Sequence, residues 1–106
     1  MRKENEMMKE NKLNNVISII NDMDIKDRLR LGICLTTSNW ANILYNKGEM
    51  YERFDTKLKE VDEEYRTTVV NFAEYKIVMF AMAKIMEMEQ SEINKTALYL
   101  FNSIKI

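Results

Sequence analysis

The chain contains no proline and no histidine, only two glycines and a single cysteine. Without histidine it lacks the commonest general base near neutral pH and the commonest metal ligand. The usual nucleophile triads, zinc sites and Glu-x-x-His di-iron arrangements are therefore excluded. There is no glycine-rich loop to cradle a phosphate. One cysteine rules out an internal disulfide. Cys34 lies in the apolar run Leu31-Gly32-Ile33-Cys34-Leu35, with no cationic neighbour to favour a thiolate, and reads as a buried, inert thiol. An excess of charge is missing too. Sixteen basic side chains face seventeen acidic ones, so any nucleic-acid contact must rest on a local patch.

What remains is a helical composition. With 46% hydrophobic and 31% charged residues the chain is neither disordered nor membrane-embedded in type. At 106 residues it predicts one helical domain spanning 1–106, its first few residues frayed, that buries about two-thirds of its unfolded surface. The N-terminus, Met1-Arg2-Lys3-Glu4-Asn5-Glu6, is too charged and acidic for a signal or transit peptide. The most apolar stretch, Val69 to Met86, contains Asn71, Glu74, Lys76 and Lys84, which excludes a membrane span. A cytoplasmic protein is expected.

Between Glu49 and Gln90 there is neither glycine nor proline. Tyr51, Phe54, Leu58, Val61, Tyr65, Val69 and Phe72 recur there at steps of three and four, which predicts one long amphipathic helix over about 49 to 90, or two stacked end to end. From Ile77 to Met86 almost no polar side remains except Lys76 and Lys84. A helix apolar all round is expected to be buried all round, at the bundle centre or a subunit interface. A first helix is expected from about Lys3 to Asn21, with Met8, Leu13, Val16, Ile17 and Ile20 on one face. A second follows through Ile25, Leu29 and Ile33, capped by Asp24, with Arg28 and Arg30 pointing elsewhere. Thr36-Thr37-Ser38 reads as the N-cap of a third helix carrying Trp40, Ile43, Leu44 and Tyr45. Gly48 reads as the left-handed residue that ends it, although a helix continuing through Gly48 would cost only about 1 kcal/mol. A last helix starts at Ser91 and Glu92 and runs through Ile93, Ala97, Leu98, Leu100, Phe101 and Ile104. The predicted fold class is all-α, a compact bundle of about five helices with Val69 to Met86 at its middle.

Three kinds of chemistry remain to be weighed. Glu60-x-x-Glu63 and Glu89-x-x-Glu92 each place two acids one helical turn apart. Such pairs hold magnesium in the all-α nucleotide pyrophosphohydrolases, although Glu92 stands where that family has an aspartate. The ordinary reading is a solvated acidic face, supported by Asp62 and Glu64. Around Tyr45, Lys47, Tyr51, Arg53, Lys57 and Lys59, cations and tyrosines could meet single-stranded nucleic acid. Glu49, Glu52, Asp55 and Glu60 are interleaved with them and could neutralise them as surface pairs. Met50, Met79, Met82, Met86 and Met88 read as core filler rather than a peptide groove.

The segment LTTSNWANILYNKGEMYERF, opening on Leu35-Thr36-Thr37-Ser38 and carrying Ile43, Leu44, Tyr51 and Arg53, resembles the small subunit of type III-A CRISPR effector complexes. In that family a Leu-Thr-Thr-Ser opens a helix. Tyr65-Arg66, Val69, Val70 and Ala73 are similar to a second family feature, and Ala97, Leu98, Tyr99 and Phe101 to its closing helix. The echoes run in order from about Val16. Ala41 replaces the family's usual arginine, and Glu74-Tyr75, with Lys76 nearby, replaces its Gly-Arg. Lys105 is a loose substitute for its Lys-aromatic-Gly ending.

The resemblance implies a non-catalytic, antiviral-defence subunit without cofactor or metal. Copies would stack along the guide–target RNA and touch its backbone through Arg53, Lys57 and Arg66, without reading bases. The alternative is a small helical protein–protein interaction module, an inhibitor or adaptor of phage type, able to form a homo-oligomer. A magnesium-dependent hydrolase is a distant third.

Overall fold

The computed structural model describes residues 2–37, 47–66 and 72–104, with side chains from residue 11 onward apart from those of 47 and 73. Among them are five α-helices and no strand: α1 (Arg2–Asp22), α2 (Ile25–Thr37), α3 (Lys47–Val61), α4 (Lys76–Ile85) and α5 (Gln90–Ser103). A 3-10 turn, Phe72–Glu74, precedes α4. The all-α bundle is as expected; its interior arrangement is not.

The corner between α1 and α2 follows from its side chains. Asp24 caps α2 as predicted, its Oδ1 accepting the Asp27 backbone N–H at 2.8 Å. Arg28 does more than point elsewhere. Its Nε donates to the Ile20 carbonyl at 2.9 Å and its Nη2 to the Asn21 carbonyl at 3.1 Å, satisfying acceptors that the end of α1 leaves open. Val16 and Ile20 on α1 are fully buried and Leu13 is packed against them. The side chain of Met8 is outside the described residues.

The centre of the bundle is α2, not the segment from Val69 to Met86. Leu29, Leu31, Gly32, Ile33, Leu35 and Thr36 are all buried, and α2 packs against α3, α4 and α5. On α4 only Val78, Ala81, Met82 and Ile85 are buried, one side of the helix. Ile77, Phe80 and Met86 stay exposed, so burial all round does not hold. Of the five methionines expected in the core, Met50, Met82 and Met88 are buried there, as is Met23, while Met79 is half-buried and Met86 lies in water.

Thr36 and Thr37 lie within α2, and their hydroxyls bond back into it. The Thr36 hydroxyl donates to the Gly32 carbonyl at 2.9 Å and the Thr37 hydroxyl to the Ile33 carbonyl at 2.8 Å, bonds that hydroxyl side chains make inside a helix. Ser38, Ala41 and the expected third helix through Trp40, Ile43, Leu44 and Tyr45 are outside the described residues, as are Val69, Val70 and Lys105. Gly48 does not terminate a helix. It lies within α3, and a Cβ there would meet nothing within 4 Å.

The long helix expected over 49 to 90 does not form as one helix: α3 stops at Val61 and α4 starts at Lys76. α3 ends at Val61, where Asp62 Oδ1 accepts the Glu64 N–H at 3.1 Å and the Asp62 carbonyl accepts the Tyr65 N–H at 3.1 Å. The chain turns there, and Tyr65 is buried with its hydroxyl donating to Asp55 Oδ1. Its ring stacks on Phe72 at 6.5 Å between centroids, and Phe72 meets Tyr75 edge-on at 6.1 Å. Burying this aromatic row outweighs continuing the helix. A second turn, through Met86 to Glu89, separates α4 from α5, which starts at Gln90, just before the expected Ser91. Ile93, Ala97, Leu100 and Ile104 are buried as expected, Phe101 is half-buried, and Leu98 is exposed.

Among the described residues no helix is long and apolar enough to cross a membrane.

Candidate functional site

Arg53, exposed, and Lys57, half-buried, lie one turn apart on the flank of α3, beside the side that Met50, Phe54 and Leu58 turn into the core. Both cations are engaged. Arg53 Nη2 stands 3.1 Å from Glu49 Oε1, and Lys57 Nζ is 3.4 Å from Glu60 Oε2. Lys59 is held by Asp55 at 3.0 Å. Glu49 and Glu60 thus form surface pairs of the kind their spacing suggests, open to water and worth little, whereas Asp55 is buried and also accepts the Tyr65 hydroxyl. The Arg53 guanidinium also lies 5.8 Å from the centre of the Phe101 ring. Tyr51 is half-buried.

Arg66 is not on this helix. It sits in the turn beyond α3, exposed, with Nη1 donating to the Glu63 and Tyr65 carbonyls at 2.9 Å each. It borders an open, polar cleft shared with Lys26, Arg30, Asp62, Glu74 and Tyr75. Arg30 organises that cleft. Its Nη1 donates to Asp27 Oδ1 at 2.7 Å and its Nη2 to Asp62 Oδ2 at 3.2 Å, while the guanidinium lies 3.8 Å from the centre of the Tyr75 ring. Burial works against the Arg30 charge, and the two aspartates more than offset it. Burial alone would also raise the Asp62 carboxyl. The Glu64 N–H and the Arg30 guanidinium outweigh it and hold Asp62 below the usual carboxylate value. This network ties α2 to the end of α3 and the start of α4. Its charges satisfy one another.

The turn at Asp62 dissolves the first of the expected acid pairs, while Glu89 and Glu92 stay one turn apart at the start of α5. Glu63 lies past the last residue of α3, so it is not one helical turn above Glu60. Glu89 precedes α5 as its N-cap residue, and Glu92 is buried with an oxygen 3.8 Å from Lys95 Nζ. Among the described residues no three acids or thiols come together closely enough to hold a metal ion.

Cys34 is half-buried, and burial pushes its thiol up to about 11. At neutral pH it is therefore almost wholly protonated and a weak nucleophile.

The outward side of α4 is the feature that residue patterns missed. Phe80 keeps 52% of its surface exposed and Ile77 38%, with Lys76 and Lys84 alongside. Those two lysines were the available signal, because they mark the one side of the segment on which charge is tolerated.

Compared with protein-family models, curated proteins and solved structures, the chain matches none of them.

Proposed function

We propose that this chain works by contact rather than by catalysis, as a helical interaction module within a larger assembly. The observation that carries the reading is the exposed apolar side of α4. Large side chains that a small domain could have buried are left in water there. The absence of histidine, the protonated Cys34 and the dispersed glutamates are in keeping with it. On this reading the chain is cytoplasmic and its partners are other protein subunits. In extract of the native cells, gel filtration after mild cross-linking should then move the chain well above its own 12.7 kDa. Elution as a monomer, combined with release of pyrophosphate from nucleoside triphosphates in magnesium, would replace the reading with a hydrolase.

A more specific form is the one the Leu35 to Ser38 segment resembles, a small subunit of a type III-A CRISPR complex. Arg53, Lys57 and Arg66 would there meet the RNA backbone. What favours it is that Arg53 and Arg66 are exposed and that the half-buried Lys57 lies beside Arg53 on one side of α3. Each must first give up its intramolecular partner. Three phosphate contacts on a single strand predict a log–log salt slope of about −2. A filter-binding titration should show that slope and lose it in the Arg53→Glu/Lys57→Glu chain. No binding at low salt, with or without partner subunits, eliminates this form.

A further inference from the structure

The outward side of α4 has a definite chemical layout. Ile77, Phe80 and Lys84 follow one another at steps of three and four and so form one ridge, with Lys76 and Ala83 beside it. Lys84 Nζ lies over the Phe80 ring, 5.5 Å from its centre, a cation–π contact that shields one ring face. From Lys76 to Ile85 the helix carries no acid. Glu74 comes before it and Glu87 after it. The ridge is therefore apolar in the middle and positive toward both ends.

A second copy of the chain does not suit this ridge. Pairing two α4 helices antiparallel about Phe80 sets Lys76 against Lys84 at both ends, and pairing them parallel sets each lysine against itself. Like charges so placed disfavour the pair. The complementary surface is an apolar stripe with a carboxylate toward each end. The lysines are eight residues apart, about 12 Å along the helix axis, so the matching acids lie about two turns apart on a partner helix.

We infer that α4 is the docking surface for an acidic amphipathic helix of another protein. Phe80 and Ile77 pack against its apolar stripe, and Lys76 and Lys84 pair with its carboxylates. The inference rests on the contact reading above and adds the place and the chemistry of the partner. On docking, Lys84 exchanges the Phe80 ring for a carboxylate, and the ring becomes free to be covered. A ridge one helix wide buries less than the roughly 1,200 Å² of a stable complex, so the contact is a weak, transient one.

The full chain, screened against a phage-displayed library of randomised helical peptides about five turns long, tests this. The Phe80→Ser chain serves as counter-selection. The sequences recovered should share an apolar stripe with Asp or Glu about two turns apart. A synthetic peptide of that consensus should bind about ten-fold or more weakly to the Phe80→Ser and the Lys76→Glu/Lys84→Glu chains. The charge-reversed chain should prefer the peptide with lysines in place of its acids. A basic consensus, or no enrichment over the Phe80→Ser chain, overturns the inference. So does Phe80-dependent binding of phosphatidylserine vesicles, oligouridylate or a second copy while the peptides stay unbound. If the peptides fail but the chain still travels in an assembly in cell extract, the contact reading stands and only its placement on α4 falls. If the chain is monomeric there as well, both fall.

Discussion

Phe54 fills the space that a side chain at position 32 would need. A Cβ on Gly32 would come within 2.6 Å of Phe54 Cε1 and 2.7 Å of Cδ1 and Cε2. The ring cannot retreat easily, since Phe54 is 1% exposed and meets Phe101 edge-on at 5.7 Å between centroids. Gly32 is thus a packing residue in the middle of α2, where its poor helix propensity is tolerated for the close approach of α3.

Gly32→Ala should therefore destabilise the fold even though alanine is the better helix former. Overpacking costs about 1–3 kcal/mol, against about 1 kcal/mol gained in propensity. Urea midpoints at constant m-value measure the balance. In a Phe54→Ala background, itself weaker by about 3–5 kcal/mol, the same change should turn neutral or stabilising. Equal effects in both backgrounds would mean that the ring is not what excludes a side chain.

Asp62 holds Arg30 against the end of α3, and its carboxyl titrates below the ordinary value near 3.8. As the pH falls, the unfolded chain takes up this proton before the folded one. The stabilisation is therefore present above the ordinary value and lost as the pH drops below it. Asp62→Asn should cost about 1–2 kcal/mol at pH 7. The gap between the two proteins should shrink as the pH falls below the ordinary carboxylate value, because the unfolded wild-type chain then takes up the proton that the folded one still resists. Urea titrations at pH 7, 5 and 3 follow this; a gap that persists undiminished at pH 3 would assign the loss to shape rather than charge.

These two contacts show what was legible in the residues. The helix class, the Asp24 cap, the buried stripe of α3 and the surface pairing of Arg53 and Lys57 could all be read from spacing. Local spacing cannot report tertiary competition. The end of α3 carries no glycine or proline, and the chain turns there because Asp62 and Tyr65 find partners on α2 and α3. Two signals were nonetheless present. Asp62-Glu63-Glu64 puts acids where a helix C-terminus is negative, and Thr67-Thr68-Val69-Val70 is a run of β-branched residues with low helix propensity. Thr36 and Thr37 misled for the opposite reason, because a hydroxyl can cap the next helix or bond back into its own. Of the candidate site, the three cations were legible and their partners partly so. The exposed side of α4 was not, since a periodicity argument cannot tell a buried phenylalanine from one left in water.

Cys34 should react slowly. With its thiol raised from the ordinary 9.0 to about 11, the thiolate at pH 8 is about a hundred-fold scarcer than in the unfolded chain. Iodoacetamide labelling followed by mass spectrometry should be slower by about that factor in buffer than in concentrated urea. The unfolded chain loses this proton first as the pH rises, so the associated stability is intact below pH 9 and is lost toward pH 11. Equal labelling rates in buffer and urea would show that burial does not protect the thiol.

Val78 and Phe80 separate the two ways of placing α4. Were the helix apolar because it is buried all round, truncating either residue would open a cavity, and phenylalanine would cost the more. Val78 is fully buried and Phe80 is 52% exposed. Val78→Ala should therefore cost about 2 kcal/mol, while Phe80→Ser should stay within about 1 kcal/mol of the native chain. The small loss of the Lys84 contact falls inside that margin. Thermal and urea unfolding of the two variants decide the matter. A Phe80→Ser chain weakened by about 3 kcal/mol would mean that its ring is covered by the chain itself, and the outward side of α4 would then have no surface to offer a partner.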